Sequence, residues 1–167
     1  MASTLELDLL RPRDWRMLRA ARLYALLDSP DAFASSYADE STWSQLDWQR
    51  SLHAATWIVA REAQNVIGLA KFVSEPALPS SRYVESAWVA PTHRRRGVLR
   101  TLLDALAEVS HRMGVTELML WVLDDNYAAD RAYRALGFEP TGDRQFLPAF
   151  GQFETRLRRE ISEARDF

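Results

Sequence analysis

The feature that leaves this chain the fewest folds is a strand, a basic turn and a helix in direct succession, followed by a strand with no polar face. Tyr83 to Val89 is an apolar run that ends in a proline turn at Pro91. Arg94-Arg95-Arg96-Gly97 follows, and then Val98, Leu102, Leu103, Leu106, Val109 and Met113 recur at helical spacing. Leu118 to Leu123 is apolar on both faces, as expected of a central strand covered by helices on both sides. This order predicts a mixed sheet with a parallel pair in its middle, and such a pair opens a ligand crevice at the carboxyl ends of its strands. The helix start combines unpaired backbone N–H groups, the positive end of the dipole and flanking guanidinium groups, which together suit a pyrophosphate. Gly97 lets the backbone come close to such an anion. A solvated basic loop is the plain alternative, and the position directly before a helix favours the anion.

A second construction lies in the stretch Asp124 to Phe138. Asn126 and Tyr133 are separated by almost two helical turns, so they share one stripe with the small Ala129 between them. The stripe reads as a shallow trough with a polar group at each end, although a capped helix with a packed tyrosine would carry the same residues. Gly137 is expected to stop the helix, because glycine enters the left-handed cap without strain, and Phe138 to fold back into the core. The crevice is expected to gather Val89, Asn126 and Tyr133.

Around these two segments the pattern predicts a strand from Leu5 to Leu10 and a helix from an Asp14 cap to about Leu27, with Met17, Ala20, Ala21, Tyr24 and Leu27 on its inner face. Ser29-Pro30 breaks that helix. A further helix is expected over Ser44 to Ala54, and strands over Trp57 to Arg61 and Val66 to Val73, joined at Gln64-Asn65. Glu75 to Ser81 reads as a loop, and two strands close the chain, the last near Gln152 to Arg158.

At 167 residues with 47% hydrophobic side chains and six tryptophans, the chain suits a single domain over residues 1–167. Its formal net charge is −2, and the arginines are interspersed with acids, which argues against a nucleic-acid surface. The absence of cysteine rules out disulfides, thiolate metal sites and a cysteine nucleophile. His53, His93 and His111 lie far apart without metal-ligand spacing, so no metal is expected. With no apolar run of membrane-spanning length and no signal-like start, the expected location is the cytoplasm.

The order of strand, Arg-x-x-Gly turn, long helix, apolar strand and Asn-x-x-Ala-x-x-x-Tyr-x-x-x-Gly-Phe resembles the GNAT superfamily of acyl-CoA-dependent N-acetyltransferases. The resemblance covers Tyr83 to Gly142, and Leu26 to Ser36 looks like the segment between the first two helices of many bacterial members. It implies an α/β fold: a mixed, mostly antiparallel sheet with a central parallel pair splayed at the cofactor site and helices on both faces. One position departs from the pattern. The family's turn usually ends in a small residue where this chain has Leu99, as in the Arg-Arg-Arg-Gly-Val-Leu turn of proteins resembling the enhanced-intracellular-survival acetyltransferases.

The resemblance further implies acetyl-CoA as co-substrate, held by Trp88, Val89, the turn Arg94, Arg95, Arg96, Gly97, Val98, Leu99, Arg100 and Thr101, and by Asn126, Ala129 and Tyr133. Backbone N–H groups around Trp88 and Val89 would bind the acetyl carbonyl and pantetheine arm, and Asn126 would hydrogen-bond that arm. Tyr133 would protonate the departing thiolate. Period-two alternation puts Glu85 on one strand face with Ala87 and Val89, making it the candidate base against a plain surface carboxylate or a water chain. The acceptor pocket would be bounded by Ser29 to Ser36 and by Arg144 to Phe150. Asp28, Asp31, Asp39 and Glu40 would then attract a cationic amine, while Phe146, Leu147 and Phe150 would form an apolar wall. The leading expectation is acetyl transfer to a small primary amine by direct attack. A protein N-terminal or lysine acetyltransferase, and a non-catalytic acyl-CoA-binding module, are the alternatives. Family members are often dimers, which leaves a homodimer open.

Overall fold

The computed structural model describes residues 4–161 and has seven strands in the order β1-β2-β3-β4-β5-β7-β6. In chain order the elements are β1 (Leu5–Leu9), α1 (Trp15–Asp28), α2 (Tyr37–Glu40), α3 (Gln45–Ala54), β2 (Thr56–Glu62), β3 (Asn65–Ser74), β4 (Ser81–Val89), α4 (Val98–Arg112), β5 (Glu117–Leu123), α5 (Tyr127–Ala135), β6 (Glu139–Leu147) and β7 (Gln152–Glu160). The sheet is mostly antiparallel, and β4 with β5 is its parallel pair. That parallel ladder spans only Ser81–Tyr83 against Glu117–Met119, the short pairing that a splayed central pair requires. Consecutive buried residues in β2, β3 and β5 show that both faces of these strands are covered, as their unbroken apolar runs demand. Among the described residues no helix is long and apolar enough to cross a membrane.

The chain divides into two compact units, the first built from residues 4–73 and 85–106, the second from residues 74–84 and 107–161. In the first, Leu18, Leu26, Trp48, Ile58 and Leu69 are almost fully enclosed together with Leu102 and Leu103 from the first half of α4. α3 starts on a reciprocal cap: the Ser44 hydroxyl accepts from the Asp47 N–H, and the Asp47 carboxylate accepts from the Ser44 N–H. In the second unit Leu118, Leu120 and Val122 of β5 are buried along with Leu157 and Phe138. Leu157 stands directly opposite Leu120 on the neighbouring strand.

The expected inner face of α1 is corrected by the structure. Leu18, Ala21, Arg22, Ala25 and Leu26 are buried, whereas Tyr24 and Leu27 are exposed. The run Leu23 to Leu27 is apolar on every side of α1, and the stripe that faces inward contains Arg22, so sequence alone favours the neighbouring stripe as core. Arg22 is only 6% exposed because the carboxylate of Glu40, 3% exposed, accepts from its Nε and from one terminal nitrogen at 2.8–3.2 Å. The Phe33 ring lies 4.6 Å from the guanidinium carbon. Desolvation of two charges is offset only by such paired geometry. The short helix α2 supplies Glu40 and was not anticipated, since a single turn carries no periodicity. Met113 also leaves the predicted apolar stripe: α4 ends at Arg112, and Met113 is exposed.

Gly68 in β3 positions α4. A Cβ there would lie 3.0 Å from Leu102 Cδ1, 3.0 Å from Val98 Cγ1 and 3.2 Å from the Trp88 carbonyl oxygen, so the first turn of the helix rests directly on the strand backbone. Gly68→Val is expected to lower unfolding stability by about 1–3 kcal/mol, the usual cost of forcing extra methyl groups into a filled core. Urea denaturation of the variant checks this, and an unchanged midpoint would mean that the helix is free to shift outward.

Candidate active site

The first unit contains the end of β4 and the basic turn. β4 does not alternate without interruption: Ser86 has φ +55, and this left-handed residue puts a kink between Glu85 and Ala87. The premise that Glu85 shares a regular face with Ala87 and Val89 is therefore interrupted. Glu85 Oε2 lies 3.0 Å from the Lys71 ammonium, which itself stands 5.3 Å from the Trp57 ring centroid. Trp88 is buried and packs edge-on against Tyr24 at 5.2 Å.

Asp28, the last residue of α1, gathers the surroundings of this strand end. Its Oδ2 accepts from Trp88 Nε1 at 2.8 Å, from the Ser29 hydroxyl at 2.7 Å and from a terminal nitrogen of Arg94 at 2.5 Å. Arg94 Nε donates to the Val89 carbonyl at 2.9 Å. Arg94 is thus a clamp between strand end and helix end, and its guanidinium turns toward protein partners. Asp28, one of the carboxylates expected to draw a cationic acceptor, is the one that holds Arg94. Glu40 is likewise consumed by Arg22, and Asp39 accepts a hydrogen bond from the Ser36 hydroxyl at 2.6 Å. Asp31 remains exposed.

Beyond the clamp the turn opens outward. Arg95 and Gly97 take left-handed conformations with φ +60 and +82, and Arg95, Arg96, Gly97 and Arg100 are exposed while Val98 is buried. The first helical closure is from the Thr101 N–H to the Gly97 carbonyl at 3.0 Å, which the Thr101 hydroxyl also reaches at 3.1 Å. The N–H groups of residues 95–100 have no acceptor among the described residues. Leu99, the departure from the family pattern, is half-buried. No atom lies within 4 Å of where a Gly97 Cβ would stand, so glycine is required there by the backbone angle and not by crowding.

The second unit contains the other construction. Asn126 caps α5, its side-chain oxygen accepting from the Ala129 N–H at 3.2 Å, and Asn126, Ala129 and Tyr133 are half-buried along one stripe. Gly137 has φ +87 and ends the helix; the Phe138 N–H then reaches back to the Tyr133 carbonyl at 3.1 Å. Phe138 is buried and meets the Tyr133 ring edge-on at 5.7 Å. Burial pushes the Tyr133 phenol up to about 12, so the hydroxyl keeps its proton throughout the neutral range. At the β5 end, Asp124 is held below the usual carboxylate range by the Thr155 hydroxyl and by Arg144, against opposing desolvation. Phe146 and Phe153 pair edge-on at 5.3 Å on the β6–β7 hairpin, with the Arg144 guanidinium 4.2 Å from the Phe153 ring centroid.

A cavity of about 550 Å³ in the first unit was not foreseen. It is lined by Met17, Ala20, Tyr24, Ile67, Asn65 and His93 among others, and none of the sequence-predicted site residues lines it. Met17, Ala20 and Tyr24, the mistaken core stripe of α1, face this cavity.

Burial alone would raise the Asp28 pKa, but the hydrogen bonds from Trp88 and Ser29 and the charge of Arg94 outweigh it and hold the carboxyl below its ordinary value. A depressed folded-state pKa contributes stability above the unfolded-state value, near about 4, and that stability is lost as pH falls through the lowered folded value. Asp28→Asn is expected to lower the melting temperature at neutral pH and to flatten its decline below about pH 4. A thermal denaturation series across pH measures both effects, and an unaltered acid limb in the variant would remove Asp28 from the account.

Residues 20–138 match the family described as Acetyltransferase (GNAT) family, a segment running from α1 to Phe138. Over 95 residues the chain is 35% identical to L-2,4-diaminobutyric acid acetyltransferase of Streptomyces coelicolor, covering 56% of this chain and 55% of that protein. Over 80 residues it is 32% identical to thialysine N-epsilon-acetyltransferase of Bos taurus, covering 48% and 46%. The chain thus spans about half the length of the curated relatives it matches. In three dimensions it is similar to an acetyltransferase of the GNAT family from Streptococcus pneumoniae, with TM-score 0.79 and 16% identity over 95% of this chain and 100% of that one. It is also similar to PaiA N-acetyltransferase of Thermoplasma acidophilum in complex with coenzyme A, with TM-score 0.71 and 14% identity over 94% and 99%. Those two likenesses establish the fold, and the match over residues 20–138 establishes the family: the chain belongs to the GNAT acetyltransferases.

Proposed function

We propose that this protein, acting as one domain, transfers an acetyl group from acetyl-CoA to a primary amine of a small molecule. The observation that carries the reading is the basic turn: donors at residues 95–100 without acceptors among the described residues, flanked by exposed Arg95, Arg96 and Arg100. Backbone N–H groups, a helix dipole and unpaired guanidinium groups are what a diphosphate requires. Arg94 has a different role in this proposal: it fixes the turn through Asp28 and Val89, leaving its two arginine neighbours for the ligand. Leu99, half-buried, keeps its side chain partly out of the anion's way.

Amide formation from a thioester needs a neutral amine, donors for the developing oxyanion and an acid for the thiolate. Backbone N–H groups at Trp88 and Val89 are assigned to the acetyl carbonyl and the pantetheine arm. Tyr133, with its proton held to about 12, is assigned as the acid, and Asn126 and Ala129 as contacts of the cofactor. Glu85 stays the proposed base, with Lys71 at 3.0 Å fixing its carboxylate. The named activities of the Streptomyces and bovine relatives, on diaminobutyric acid and thialysine, support a small amine-bearing acceptor.

Acetyl-CoA is expected to raise the melting temperature by mass action, and Gly97→Val to lose that shift, because a β-branched residue is strained at φ +82. A wild-type protein unmoved by millimolar acetyl-CoA would defeat the reading. Tyr133→Phe is expected to keep that shift while lowering turnover by roughly two to four decades, the usual worth of one positioned acid. Thiol-release kinetics over an amine panel check this; equal turnover would return Tyr133 to packing against Phe138.

A further inference from the structure

Most carboxylates near the ends of the central strands are already spoken for. Asp28 is held by Trp88, Ser29 and Arg94; Glu40 by Arg22; Glu85 by Lys71; Asp124 by Thr155 and Arg144. In the second unit Glu117 takes the Ser81 hydroxyl and Asp143 the Arg156 guanidinium. Glu154 of β7 differs from all of these. It is only 9% exposed, yet among the described residues no arginine, lysine or histidine pairs with it. Its single protein partner is the neutral Gln145 amide, which donates to Oε1 at 2.6 Å. The second carboxylate oxygen has no protein partner among the described residues and is not sealed from solvent.

A mostly buried carboxylate whose protein partner is a neutral amide, and whose other oxygen reaches solvent, keeps the capacity to pair with a cation brought by a ligand. The surroundings of Glu154 describe that cation. Leu123 and Gln145 stand directly opposite it on the two flanking strands, so their side chains share its face of the sheet. Two residues along the same face, Trp121 opposes Arg156 and lies half-buried beside Leu123. The guanidinium of Arg156 does not compete for Glu154. It is 5.6 Å from the Trp121 ring centroid, donates to the Tyr83 hydroxyl at 3.1 Å and pairs with Asp143. What remains is a carboxylate fixed by an amide at the edge of an apolar floor made by Leu123 and Trp121, three residues before the Asn126 cap in the case of Leu123.

We infer that Glu154 binds an ammonium group of the acceptor, and that this is the amine which is not acetylated: the acceptor is a diamine or a related amine with a second positive charge. The inference rests on the acetyltransferase reading and deepens it. The distinction between the two amines is chemical. A carboxylate in contact with an ammonium favours its charged form, and a charged amine has no lone pair with which to attack a thioester. The group held by Glu154 therefore anchors the substrate, its methylene chain lies against Leu123 and Trp121, and the second amine carries out the attack.

The test compares 1,4-diaminobutane with butylamine, in the wild-type protein and in Glu154→Gln, with acetyl-CoA binding followed separately by thermal shift. One charged hydrogen bond predicts a KM roughly ten- to hundred-fold lower for the diamine in the wild type. In Glu154→Gln that advantage should vanish through a rise in the diamine KM toward that of butylamine, with the acetyl-CoA thermal shift retained. The wild-type comparison stands even if the variant does not fold. A diamine advantage that survives in a folded Glu154→Gln, a wild type with equal KM for both amines, or acetyl-CoA binding with neither amine accepted would each overturn the assignment of Glu154. Failure of acetyl-CoA to bind at all would instead overturn the acetyltransferase reading. In that case a diamine-induced thermal shift that is lost in Glu154→Gln would still support a cation site, and no such shift would remove it.

Discussion

Three hydrogen bonds converge on one oxygen of Asp28, and the organisation of the first unit depends on them. Through that oxygen the last turn of α1 is joined to the Trp88 indole, to Ser29 where the helix breaks, and to the Arg94 guanidinium at the start of the basic turn. Arg94 reaches on to the Val89 carbonyl. The buried Trp88 indole would be costly to leave unpaired, and the carboxylate that meets it also accepts from Ser29 and Arg94. With Arg94 committed to this duty, the turn beyond it can present Arg95, Arg96 and the free N–H groups outward. A cluster of three arginines thus divides into one that builds the turn and two that face solvent.

The same principle governs the remaining charges. Charged residues brought near the core are paired, as in Arg22 with Glu40, and pairing removes them from the roles that their type suggests. The acidic segment after α1 looks like an electrostatic attractor in sequence. In three dimensions Asp28 and Glu40 are acceptors for arginines, and Asp39 receives the Ser36 hydroxyl. Charge available for a ligand is what survives this internal accounting, which is why a neutral-partnered carboxylate such as Glu154 stands out more than any cluster.

Elements with strong periodicity were legible before the structure. The strand, basic turn and helix at Tyr83 to Leu103, the two-faced apolar strand at Leu118 to Leu123 and the glycine stop at Gly137 all occur where the spacing puts them. Asn126, Ala129 and Tyr133 are half-buried along one stripe, with Asn126 capping the helix and Tyr133 against Phe138, which both readings of the stripe allow. Less legible were α2, too short to show a period, and the inner face of α1, where a buried arginine disguised the core stripe. The Ser86 kink in β4 was also hidden, because serine is not a residue whose sequence context announces a positive φ.

What the sequence determined by itself was therefore local: apolar periodicity, the glycines that tolerate left-handed backbone, and the order of elements that restricts the sheet to a mixed one with a central parallel pair. These follow from sterics and from side-chain direction within a few residues of chain. The tertiary structure alone decided which charged groups meet. Asp28 and Arg94 are sixty-six positions apart in the chain, and Glu154, which has no cationic partner among the described residues, meets Gln145 of the neighbouring strand instead. Coulombic pairing and desolvation act through space with no regard for sequence distance, so no pattern along the chain could have assigned those partners.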